Sequence, residues 1–157
     1  MRSQSRRHFL ISAASLAALP AWVHAAEGPF EVTRTEAEWR AMLTETQYLV
    51  MREEQTENAF LSPMHNSKAK GTYICRGCDL PLYSSATKFD SGTGWPSFTA
   101  PLQNAIGTKP DNTLFTTRTE VHCRRCGSHL GHIFEDGPAP TGKRHCLNGS
   151  ALVFRAG

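Results

Sequence analysis

Five cysteines carry most of the chemistry that the 157-residue chain advertises. Four fall in two pairs, Cys75-Arg76-Gly77-Cys78 and Cys123-Arg124-Arg125-Cys126, and the fifth, Cys146, stands alone. Two residues between sulfurs let both thiolates of a pair face one ion across a tight turn, and two such knuckles complete a tetrahedron of four sulfurs, the donor set of structural zinc. Gly77 and Gly127 stand where such turns often need positive φ. A closed four-sulfur site has no open position for water or substrate, so the expected zinc ion is structural. Because 47 residues separate Cys78 from Cys123–Cys126's far member Cys126, the ion would clip remote parts of the chain. Two disulfides or a redox-active Cys-x-x-Cys pair are the alternatives that the residues alone leave open.

Cys146 lies in Arg144-His145-Cys146-Leu147-Asn148. If this stretch is a strand, Arg144, Cys146 and Asn148 share one face, and a guanidinium beside the thiol favours the nucleophilic thiolate. Upstream, His129 and His132 offer imidazoles able to move protons near neutral pH. Their offset of three places them on opposite faces of a flat strand, so both reach one site only if the chain bulges, with Gly131 the obvious place. An unpaired cysteine taken alone is more often packing than nucleophile.

The elements that must position these residues read as mainly β. Short runs, Gly71-Thr72-Tyr73-Ile74, Leu80 to Tyr83, Leu114 to Thr117, Ile133-Phe134 and Ala151 to Phe154, are separated by Gly, Pro, Asn and Asp. Before them, Glu27 to about Asn58 is helical in pattern: Thr33 with Glu36 and Thr44 with Gln47 are capping-box signatures, and Trp39, Met42 and Leu43 form an apolar stripe. Ser91-Gly92-Thr93-Gly94-Trp95-Pro96-Ser97 lacks the Lys of a phosphate loop and reads as a shaped loop near a site.

Residues 1–25 read as an export signal of the twin-arginine type: Arg6-Arg7 precede an apolar run from Phe9 to Val23, and Val23-His24-Ala25 offers a cleavage site. The run is too short to span a membrane. Removing the segment takes away Arg2, Arg6 and Arg7, so Lys plus Arg falls from 17 to 14 against 14 Asp plus Glu. The mature chain, residues 26–157, is therefore near neutral and one domain in size, which excludes a nucleic-acid or anionic-membrane partner. It is expected in the periplasm, as a monomer.

Together, Ser91-Gly92-Thr93-Gly94-Trp95-Pro96-Ser97-Phe98, the stretch from Cys123 to Phe134, Asp136-Gly137-Pro138 and Arg144 to Asn148 resemble the signature of the methionine sulfoxide reductase B family, over about Glu36 to Phe154. The resemblance implies two antiparallel sheets, a β-tent, with short N-terminal helices and zinc held by Cys75, Cys78, Cys123 and Cys126 far from the active site. It implies reduction of the R epimer of methionine sulfoxide, mainly in proteins, with Cys146 as catalytic cysteine. Carried over by position, His129, His132 and Asn148 are expected in the catalytic site, Trp95 against the substrate, and Arg144 beside the thiolate. Two departures stand out: Thr93 occupies a position where many members have a second cysteine, and His145 one that is commonly Tyr. The expected chemistry is attack of Cys146 on the sulfoxide sulfur, proton donation by His129 or His132, and a Cys146 sulfenic acid. With no further free cysteine, an external thiol, thioredoxin-like or small, is expected to resolve it. The competing readings are a non-enzymatic zinc-stabilised binding module and a thiol oxidoreductase working through the knuckle pairs.

Overall fold

The computed structural model describes residues 30–157; the expected export signal lies outside them. Two short helices lead. Helix α1 (Glu36–Met42) is capped by Thr35, whose hydroxyl accepts from the Glu38 amide while Glu38 reaches back to the Thr35 amide. Helix α2 (Glu45–Arg52) opens the same way with Thr44 and Gln47. The second box falls where the sequence puts it, but the first lies two residues beyond Thr33, which leaves Arg34 outside the helix and free to bond Gly77. Trp39 and Leu43 are buried as expected, whereas Met42 is exposed.

The rest is β, as expected. Strands β1 (Gly71–Cys75), β2 (Pro81–Ser84) and β9 (Leu152–Ala156) form a three-stranded sheet in the order β2-β1-β9. Strands β3 (Lys88–Phe89), β4 (Ser97–Phe98), β5 (Ile106–Asp111), β6 (Arg118–Cys123), β7 (His129–Phe134) and β8 (Arg144–Leu147) form a six-stranded sheet in the order β3-β4-β8-β7-β6-β5. Every pairing is antiparallel. The run Leu114 to Thr117 is the turn between β5 and β6 and not a strand: pairing ends at Asp111 opposite Arg118, and both Leu114 and Phe115 are exposed.

The sheets face each other over an aromatic core. Phe98 of the larger sheet packs between Tyr73 and Tyr83 of the smaller, with ring centroids 5.0 and 4.6 Å away. Because strand side chains alternate, the residues next to Phe98 and Leu147 point the other way, and that outer face carries Ser97 and Cys146. Helix α2 packs on β7 and on the turn Gly149–Ala151, closing one end of the larger sheet.

Candidate active site

Strand register assembles the site. Cys146 sits opposite His132 of β7 on one side and opposite Ser97 of β4 on the other, and His132 in turn faces Glu120, which faces Lys109. One row, Lys109, Glu120, His132, Cys146, Ser97, thus crosses five strands on the outer face. The β6–β7 register shifts between Val121 and His122, so that Gly131 pairs with Val121 and His129 with His122. That bulge sends Leu130 into the core and returns His129 to the face of His132, their rings 5.3 Å apart. Gly131 is required there, at φ 155° with a space where a Cβ would meet the Cys146 carbonyl oxygen at 2.1 Å.

Each imidazole is anchored to a buried carboxylate. Nδ1 of His129 lies 2.8 Å from Glu120, and Nε2 of His132 lies 2.8 Å from Asp111. Burial works to raise Glu120, but His129 and Lys109 outweigh it and hold the carboxyl below its usual range. For Asp111 burial is likewise outweighed, by Thr113, His132 and Arg118. Both partners are therefore anions that accept from a ring N–H and fix its orientation. Nε2 of His129 is left buried with no protein partner, on the side of the ring away from Glu120. Burial lowers His132, against the pull of Asp111.

Burial raises the Cys146 thiol, with Arg144 and the hydroxyls of Thr93 and Ser97 opposing it. Arg144 favours the thiolate, as its place in the sequence leads one to expect, but burial outweighs it. The guanidinium is engaged by both oxygens of Asp136 at 2.9 Å and stacks 4.5 Å from the centre of Phe134, so only part of its charge serves the sulfur. Thr93 and Ser97 both bond Ser91 at 2.8 Å, a hydroxyl chain lining the sulfur's other flank. Beyond it opens a cleft of roughly 400 Å³ between Phe89, Asp90, Asp136 and Arg144.

These features meet the comparisons with known proteins. A model of the SelR domain matches residues 43–156. The chain belongs to the SelR domain family. Peptide methionine sulfoxide reductase B1, chloroplastic, of Arabidopsis thaliana is 46% identical over 156 residues, covering 99% of this chain and 77% of that protein. Peptide methionine sulfoxide reductase MsrB of Agrobacterium fabrum is 49% identical over 125 residues, 79% of this chain and 93% of its own. The MsrB of Methanosarcina barkeri is 50% identical over 125 residues, 79% and 88%.

Within this SelR domain Trp95 and Asn148 flank the row, tied together by a residue the sequence reading missed. Glu57 accepts the Trp95 indole N–H on its carbonyl at 3.1 Å and donates its amide to the Asn148 side-chain oxygen at 3.0 Å. Its carboxylate receives the amides of Gly149 and Ser150 at 2.6 and 2.8 Å. Asn148 also donates to the Leu130 carbonyl, so its amide oxygen is committed to backbone and only part of its N–H capacity remains. Glu57, Asp111 and Glu120 carry no spacing signal; they are single carboxylates that only the fold brings to the site. His145, on the opposite face of β8, lies in the core, where its Nδ1 and the Tyr83 hydroxyl share a hydrogen bond of 3.0 Å, and burial lowers it to about 4.

The second centre lies where the two sheets meet. Cys75 ends β1, Cys78 precedes β2, Cys123 ends β6, and Cys126 lies between β6 and β7. Their sulfurs lie within 4.8 Å of one another, and Cys75–Cys126 and Cys78–Cys123 are 3.6 and 3.5 Å apart. Sulfurs bound to zinc at about 2.3 Å in a tetrahedron stand roughly 3.8 Å apart, whereas a disulfide needs about 2.05 Å. The set therefore fits zinc, and no disulfide joins these thiols. Arg34, Arg52 and Arg125 donate to the carbonyls of Gly77, Cys126 and Cys78, bringing positive charge to four thiolates. Positive φ falls on the residue after each second cysteine, Asp79 and Gly127, and not on Gly77. Gly77 is needed for space: a Cβ there would come within 3.2 Å of Ser128, Trp39 and Met51.

Proposed function

We propose that the protein reduces methionine sulfoxide in oxidised polypeptides, selecting the R configuration at sulfur, with Cys146 as the nucleophile. The observation that carries this reading is the placement of one half-buried thiol in register with His132 and beside His129, each ring held by an ionised carboxylate. A sulfoxide is a poor electrophile until its oxygen takes a proton, and two oriented imidazoles supply that proton. The Cys146 sulfur bonds to the sulfoxide sulfur as an imidazolium protonates the oxygen, and the thiol proton returns to the imidazole. The hydroxyl then passes to the Cys146 sulfur as the substrate's sulfur–oxygen bond and the new sulfur–sulfur bond both break, leaving the thioether and Cys146 sulfenic acid, so that thiol plus sulfoxide equals sulfenic acid plus thioether. Trp95 offers an apolar face to the methyl group and so orients the sulfur.

Recycling needs an external thiol, because the other four cysteines converge on the zinc site. That thiol reaches the sulfenic sulfur from the cleft beside Thr93, releasing water and forming a mixed disulfide that a second thiol resolves. Zinc, held by Cys75, Cys78, Cys123 and Cys126, stabilises the fold and takes no part in the steps. The decisive assay offers both epimers of a methionine sulfoxide peptide with a dithiol. The R epimer is consumed, the S epimer is not, and Cys146→Ser is folded but inactive. Persistent activity of Cys146→Ser, or turnover of neither epimer, overturns the proposal.

The proposal extends to place: export to the periplasm after folding and metal loading in the reducing cytosol. Arg6-Arg7 ahead of the apolar run supports it. Fractionation of cells carrying the full chain tests it, and retention in the cytosol of wild type and Arg6→Lys/Arg7→Lys alike refutes it.

A further inference from the structure

Two apolar side chains next to the site are turned to solvent. Phe60 is 62% exposed and Leu61 61%. Phe60 also adopts a left-handed backbone, φ 65°, which is sterically disfavoured for a bulky residue and needs enforcement by its surroundings. The enforcement comes from the site itself. The Phe60 amide donates to the Gly94 carbonyl at 2.8 Å, and the ring lies so close over Gly94 that a Cβ there would meet it at 2.9 Å. Gly94 precedes Trp95, and three residues before Phe60 is Glu57, which holds both Trp95 and Asn148. The segment that holds the Trp95 indole through Glu57 thus also carries Phe60, which is bonded to the residue before Trp95. An ordinary loop would relax the backbone and fold the ring inward, gaining burial. Here the ring instead lies over Gly94, the residue before Trp95, edge-on to His65 with centroids 5.5 Å apart, and stays open to solvent.

We propose that Phe60 and Leu61 form an apolar shelf that receives the apolar side chains flanking a sulfoxide in an extended polypeptide, which makes these two residues determinants of flanking-sequence preference. This deepens the reading of Cys146 as a methionine sulfoxide reductase and rests on it. The occupant follows from continuity: a polypeptide whose sulfoxide lies at Cys146 against Trp95 must pass over what borders Trp95. A methionine oxidised inside a core exposes its own apolar neighbours once packing fails, so such a shelf meets the chains most in need of repair.

The test compares three substrates, all R epimers: a peptide with Leu and Phe on either side of the sulfoxide, one with Gly and Ser, and N-acetylmethionine sulfoxide. Wild type is expected to show a KM about tenfold lower for the apolar peptide than for the polar one, of the size that burying two apolar groups supports. Phe60→Asn keeps a residue that tolerates the left-handed backbone and keeps the amide bond to Gly94, while Leu61→Ser alters only an exposed side chain. The combined variant is expected to erase the tenfold difference in KM, with kcat and the rate on N-acetylmethionine sulfoxide unchanged. Equal loss on all three substrates assigns Phe60 a structural role and overturns the shelf, as does a wild type indifferent to flanking residues. Leu61→Ser alone guards against misfolding of the pair and is expected to raise KM for the apolar peptide severalfold. Failure of wild type on every sulfoxide defeats the reductase reading itself, a result distinct from loss of flank preference.

Discussion

Asp111 governs how readily His132 holds a proton, and so offers a direct probe of the chemistry at single-residue scale. Burial lowers His132 and Asp111 opposes that fall, so Asp111→Asn removes the opposing influence and lowers His132 further. A step that needs the imidazolium then loses its proton donor at lower pH: the alkaline limb of the kcat profile should move to more acidic pH. A shift of one unit costs about tenfold in kcat above the limb. A merely structural role would reduce kcat at all pH values without moving the limb. Cys146, His129 and His132 were singled out in the sequence through its resemblance to the methionine sulfoxide reductase B signature, since a lone cysteine by itself reads as packing. Their carboxylate partners were not: Asp111 lies 21 residues and Glu120 nine from the histidine each holds, distances set by hairpin register. The burial that opposes Arg144 at Cys146 was not legible either, since one adjacent guanidinium in the sequence says nothing of Asp136 bonding it or of how deeply the sulfur is buried.

Strand β8 shows what an element contributes, because its two faces do unrelated work. Cys146 faces the site while His145 faces the core, neutral and bonded to Tyr83. The unfolded chain takes up a proton at His145 near its ordinary value of 6.5, the folded one only at about 4. Between those values the unfolded state binds more protons, so stability is full above pH 6.5 and falls as pH drops toward 4. The double variant Tyr83→Phe/His145→Phe removes the titrating group and its partner together. It should flatten part of that acid limb in urea unfolding measured from pH 7 to 4, with the remainder left to His122 and His132, which burial also lowers. The segment before β1 contributes differently. Glu57 caps the backbone amides of Gly149 and Ser150 and braces Trp95 and Asn148. Glu57→Ala strands two amides bonded to a buried carboxylate and should cost about 3 kcal/mol, seen as a lower urea midpoint at unchanged slope. The helices were legible from capping boxes and part of the strands from short runs between turn residues, whereas β3 to β6, short or rich in polar residues, gave no such run. The first cap fell on Thr35 because Arg34 is needed outside the helix, and Leu114 to Thr117 is β-like in composition but lies past the last paired residues.

At the scale of the whole molecule the zinc site joins the two sheets beside the aromatic core that they share. The knuckle around β1 belongs to the three-stranded sheet and the one after β6 to the six-stranded sheet, with Cys78 and Cys123 separated by 45 positions. A cross-link closing a loop of that length restricts the unfolded chain by about 4 kcal/mol in the chain-entropy model, before any metal–sulfur bonding is counted. The surroundings would suffer too. Trp39 lies between the guanidinium groups of Arg34 and Arg52 at 4.8 and 4.7 Å, and with Met51 it packs on Gly77, so α1 and α2 are seated on the first knuckle. Loss of the ion would leave four thiols crowded under that lid with three arginines around them. Cys78→Ser, Cys126→Ser and wild type treated with a strong chelator should therefore lose cooperative thermal unfolding, while Cys146→Ser retains it together with one zinc per chain by elemental analysis. If the metal-free protein melts as sharply and as high as the loaded one, the sheets are held by the aromatic core of Tyr73, Tyr83 and Phe98 alone. The ion would then have no structural part.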